Sequence, residues 1–201
     1  MGEAQSRRVR PTDGPPVFDA EVVEELVALA GTEGGVEDMR IALRSHIATL
    51  PTSEATEWLQ LFGVLGRVDS SLAPDLIRAV GLEQQSQGIA GADLIIGVVA
   101  QASDTDGAPL LALAAQLAAK EDAGRAAEIR RSFLDRYPEA LEAIEVMLLQ
   151  AKWLFTVQNG EEEGIRLLEE LIVNAPEHPL APEARRLYEA SGARDAGSAG
   201  R

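Results

Sequence analysis

The chain has 201 residues, a formal charge of −15 and no cysteine. It is long enough to bury an apolar core without staples, and disulfides, thiolate metal sites and cysteine nucleophiles are excluded. So negative a balance argues against nucleic acid as a ligand, because it repels phosphate backbones.

Residues 1–16 carry Arg7, Arg8 and Arg10 beside Gly14-Pro15-Pro16 and read as a disordered leader. The first twenty residues hold no apolar secretory region, which predicts a cytoplasmic chain; a periplasmic one would need a start upstream of Met1. Phe18 and Val23 then form a hydrophobic staple around the cap Asp19, opening a helix over 20–30 that Gly31 closes. Met39, Ile41, Leu43, Ile47 and Leu50 predict a second helix over 36–50, stopped by Pro51. Ser53 as cap, with Glu54 and Glu57 in the first turn, opens a third helix carrying Trp58, Leu61, Phe62 and Leu65. Pro74 opens a fourth that runs toward Gln87, with Gly81 as a point of interruption. Residues 89–101 fit a buried strand or a buried helix. With no strand to pair with, helix is the expectation. The longest apolar stretch, residues 94–100, is too short to cross a bilayer, so no membrane insertion is expected. These helices make 17–104 an N-terminal helical region and set an all-α class.

The second half repeats weakly. Slid against itself by 38 residues, it places Tyr137-Pro138-Glu139 on Ala175-Pro176-Glu177, Ala143 on Ala181, and Leu110-Leu111 on Leu148-Leu149. The turn 120–124 falls on 158–162, so each copy reads helix, polar turn, helix, proline. The expected fold is all-α: about ten helices in stacked antiparallel hairpins, repeats over 105–191, and a disordered tail at 192–201.

Residues 107–190 resemble tetratricopeptide repeats. Leu110, Leu113, Ala114 and Leu117, then Leu148, Ala151 and Phe155, match the first-helix pattern; Ala126 and Phe133, then Leu168 and Leu171, match the second; Pro138 and Pro176 match the terminal proline. Lys152, Arg130 and Gly164 depart from it, standing where a small residue, an aromatic and an alanine are usual. The linker 176–184 is similar to those of periplasmic cell-division coordinator and outer-membrane assembly lipoprotein repeats, which scaffold envelope proteins. This chain shows neither their signal peptide nor their lipid-carrying cysteine.

A helix over 143–158 carries two apolar stripes, one through Ile144, Met147, Leu148, Ala151, Leu154 and Phe155, the other through Val146, Leu149, Trp153 and Val157. Two stripes mean cover on two sides. Ile165, Leu168, Leu171 and Ile172 match the first. By the resemblance, the second stripe with Thr156 lines a concave groove, together with Leu111, Ala115, Ala118 and Ala119 of the preceding copy. These nine residues are the candidate partner-binding surface, and the expected function is a non-catalytic scaffold holding a segment of another protein or peptide. Three alternatives stand beside it: the N-terminal helices fill the groove, a second copy covers it in a homo-oligomer, or carboxylates that meet only in three dimensions make a helical enzyme.

Nothing else in the sequence points to chemistry. His46 and His178 lie in no recognisable motif, and there is no Walker loop, serine elbow or dinucleotide fingerprint. Asp104-Thr105-Asp106-Gly107 has the middle of a calcium loop, but Ala102 and Leu113 stand at its first and last ligand positions. Asp106 reads instead as the cap of a helix beginning near Pro109. Glu161, Glu162 and Glu163 suit a helix start, where the dipole favours negative charge, with Glu162 pairing Arg166 one turn on. No catalytic residue, cofactor or metal is assigned.

Overall fold

The computed structural model describes residues 20–50, 52–84, 88–100 and 104–198. Among them are ten α-helices and no strand: α1 (Ala20–Ala30), α2 (Gly35–Ile47), α3 (Thr52–Leu65), α4 (Ala73–Gln84, after a 3-10 turn at Ser70–Leu72), α5 (Gly88–Val99), α6 (Asp104–Ala119), α7 (Ala123–Arg136), α8 (Ala143–Leu154), α9 (Glu161–Asn174) and α10 (Ala181–Ser198). Each packs on the next, and α1 also folds back onto α4. The result is a stack of helix hairpins.

The helix starts show which local signals acted. The staple and cap at Phe18 and Asp19 lie outside the described residues. Between α1 and α2 the chain needs a left-handed residue, and Gly34 supplies it at φ 75°. Ser53 and Asp106, expected as caps, sit inside their helices, which begin earlier at Thr52 and Asp104. Residues 104–107 therefore wind as helix rather than as a calcium loop. Pro109 sits beyond the first turn of α6 and forfeits one backbone bond there. Asp122 is a true cap: its carboxylate accepts the Arg125 N–H at 2.9 Å. A longer-range cap closes α5, where Glu121, from the α6–α7 turn, accepts Gly88 N–H at 2.9 Å and Ile89 N–H at 3.2 Å. That bond sets where α5 begins against α6.

Residues 89–99 are helical, and glycine explains how α5 fits between its neighbours. A Cβ on Gly91 would lie 2.6 Å from the Ala79 carbonyl oxygen of α4 and 3.3 Å from Leu117 Cδ1 of α6. Gly81 does not interrupt α4; it admits Val23 of α1, whose Cγ1 would lie 2.9 Å from an added Cβ. Gly91→Ala should therefore lower stability by about 1–3 kcal/mol, the range for overpacking. The measurement is a denaturant midpoint; an unchanged midpoint would mean that the helices part without cost.

The 38-residue repeat reaches down to individual bonds. Tyr137 and Ala175 end α7 and α9 with φ, ψ of −133°, 51° and −135°, 58°, donating to Phe133 O and Leu171 O. The turns that follow also match: Ala140 N–H donates to Tyr137 O and Ala143 to Ala140, as His178 does to Ala175 and Ala181 to His178. His178 serves this turn, its Nδ1 accepting Leu180 N–H at 3.2 Å, while His46 sets its ring edge-on to Trp58 at 5.5 Å. Both histidines have local packing roles.

Helix α8 is four residues shorter than expected. Thr156 Oγ1 and its own N–H both turn back to the Trp153 carbonyl, at 2.7 and 2.8 Å, and the left-handed Asn159 (φ 63°) swings the chain into α9. At the α9 start, the ion pair formed among the described residues joins Glu163 to Arg131 of α7 at 3.6 Å, not Glu162 to Arg166. Lys152 reaches Glu183 of α10 at 2.8 Å and holds that carboxyl below its ordinary range. Helix α10 continues to Ser198, into the stretch expected as a tail.

The apolar core forms two clusters. The larger runs from Leu26 of α1 without a break at residue 105 and ends at Ala143 and Val146 of α8. The smaller starts at Met147 and Leu148 of the same helix and takes in Leu167, Leu168 and Leu171 of α9 and Ala181 and Ala184 of α10. Helix α8 is the seam between them.

Candidate interaction cleft

Three helices that are distant in sequence enclose a cleft of about 530 Å³. Gln60, Gly63 and Val64 of α3, with Arg67 just beyond it, form one wall. Pro109, Ala112, Ala115, Gln116 and Ala119 of α6 make the floor, and Glu142, Glu145, Val146 and Leu149 at and along α8 form the other wall. Three of the six α6 residues that line the cleft, Ala112, Ala115 and Ala119, are alanines, and larger side chains there would fill it. A second cleft of about 500 Å³ adjoins it beside Tyr137 and Pro138, sharing Arg67, Pro109, Leu141 and Glu142. Arg67 and Glu142 form an ion pair across that shared wall. At the common rim stands Leu141, 86% exposed, an unusual position for a leucine.

Of the nine residues expected to form the groove, Ala115, Ala119, Val146 and Leu149 line this cleft. Leu111 and Ala118 do not; they are 3% and 0% exposed and belong to the core on other faces of α6. The reason is that α6 is covered almost all round, and an alanine-rich helix carries no marker of which face stays open. Trp153 and Val157 also fall elsewhere, packing against the smaller core cluster. Thr156 is exposed in the turn after α8. The early end of α8 removes Thr156 and Val157 from the helical stripe to which they were assigned.

The wall contributed by α3 was not visible in sequence, since nothing local tells a helix which distant groove it will border. Arg130 could have been noticed. It stands in the buried stripe of α7 among Ala126, Ala127, Ile129 and Phe133, is 7% exposed, and lines the cleft. Its Nη1 is buried with no hydrogen-bond partner. Burial alone pushes its guanidinium below the usual arginine range, without discharging it at neutral pH. Among the described residues no cluster of His, Cys, Asp or Glu is arranged to hold a metal ion, and no helix is long and apolar enough to cross a membrane.

The fold and cleft define a stack of helix hairpins with an open interhelical groove. No family model, curated protein or solved structure matches the chain.

Proposed function

We propose that the protein is an interaction scaffold, of tetratricopeptide-like repeat type in its C-terminal half, which holds a segment of another protein in the cleft between α3, α6 and α8. The observation that carries this reading is the cleft itself: its mixed apolar and polar lining stays unfilled, and a leucine is presented at its mouth. Its volume is that of a site taking a few side chains. A non-catalytic role is supported by the lining, which brings Glu142 and Glu145 together with arginines and amides and, among the described residues, includes no Ser, Thr, Tyr, Lys or His. The N-terminal helices do not fill the groove in this reading; α3 walls it.

A photo-crosslinking residue at Gln116, inside the cleft, should trap a partner from the native cell extract, whereas the same residue at Val173, exposed on α9, should not. Leu149→Arg should abolish the Gln116 adduct while the far-ultraviolet circular dichroism stays unchanged. Equal adducts from both positions, or none from Gln116, would reject the scaffold reading. Trp153 is unsuitable for this test because its loss would disturb the smaller core cluster.

A further inference from the structure

Arg130 is the feature that folding does not explain. A guanidinium offers five donors, and a buried charge is stabilised only by a counter-charge and satisfied hydrogen bonds. Here, among the described residues, no carboxylate is paired with it, and Nη1 has no acceptor. The cleft's other arginine, Arg67, is already engaged by Glu142. Glu145 lines the same cleft but is exposed and forms no ion pair with Arg130 among the described residues. Gln150 is likewise buried without amide partners, but it lines neither cleft. Among the described residues Arg130 alone combines an unmet cation with a place on the cleft lining, in a protein whose overall charge is −15.

We infer that the segment held in the cleft presents one acidic side chain to Arg130, flanked by apolar residues that cover Leu141 and Leu149. This rests on the scaffold reading and adds the chemistry of the occupant. The source is a side chain because Arg130 is recessed: an Asp or Glu on a segment lying across the mouth reaches down to it while neighbouring apolar groups stay on the walls. A single carboxylate fits because the described lining holds one uncompensated cation, Arg67 being paired with Glu142, and Glu145 repels a second acid. The planar fork of arginine suits a two-oxygen acceptor, and a charge-assisted pair in such a desolvated place discriminates strongly between a carboxylate and its amide.

The test is a selection of random 16-residue peptides displayed against the full chain. Enriched peptides are expected to share one Asp or Glu between apolar positions, and the Glu→Gln form of a selected peptide should bind at least tenfold more weakly by calorimetry. Selection on Arg130→Met should keep the apolar positions and lose the acid. If wild-type selection returns apolar peptides with no acidic position, and Leu149→Arg abolishes their binding, the inference fails while the scaffold reading stands. If Leu149→Arg enriches the same peptides as wild type, the cleft is not the docking site and both fail. Octanoate and a peptide whose sole carboxylate is its free C-terminus complete the panel; Arg130-dependent binding of these, without binding of the internal-Glu peptides, assigns the carboxylate to another source and overturns the inference.

Discussion

Arg130→Met is expected to raise the unfolding free energy by about 1–3 kcal/mol, since replacing an uncompensated buried charge by an apolar side chain of similar length removes a desolvation cost. The site favours the exchange. Arg130 is 7% exposed, with Ala126, Ile129 and Phe133 of the same helix in the core, so a thioether there gains contacts and leaves no cation unmatched. For a chain of this size the gain corresponds to a rise in melting temperature of roughly 2–12 °C. Denaturant titration with a constant slope is the stricter measurement. A loss of stability would show that the guanidinium is satisfied in the folded protein, and would remove the reason for assigning it a ligand. A gain, coupled to loss of acidic-peptide selection, is the pattern of a residue kept for binding at the expense of stability.

Leu168→Ala is expected to cost about 2–5 kcal/mol, the range for emptying a fully buried leucine site, with an effect confined to one end of the molecule. Leu168 is 0% exposed in the smaller cluster, which draws only on α8, α9 and α10 and the groups packed against them. In a stack where each hairpin contacts mainly its neighbours, destabilisation spreads as a nearest-neighbour effect. Native-state hydrogen exchange should therefore show the amides of α9 and α10 losing protection while those of α4, α5 and α6 keep theirs. Equal loss along the whole chain would mean that the two clusters fold as one unit and that α8 is not a seam. The outcome bears on function too, because Val146 and Leu149 of α8 form a cleft wall and their placement depends on what holds α8 from the far side.

The helices were legible because each is encoded locally. Apolar spacing located α1 to α5, and the 38-residue repeat located α6 to α9 closely enough that matched caps fall at Tyr137 and Ala175. Boundaries were less legible where a cap had competitors. Ser53 and Asp106 are good cap residues, yet the helices start before them; Thr156 looked like a continuation of α8, yet its hydroxyl turns back and helps end it.

The candidate site divides in the same way. Ala115, Ala119, Val146 and Leu149 line the cleft, while Leu111, Ala118, Trp153 and Val157 do not line it and pack in or against the core. The amino-acid sequence by itself determined an acidic, all-helical chain of stacked hairpins, because helix periodicity, turns and repeats are written within a few residues of one another. Only the tertiary structure decided that α3 closes one side of the groove, that α6 turns its alanine stripe to the opening, and that Arg130 sits there without a counter-charge. Those features depend on which surfaces meet across dozens of residues, and an apolar stripe records that it must be covered without recording by what.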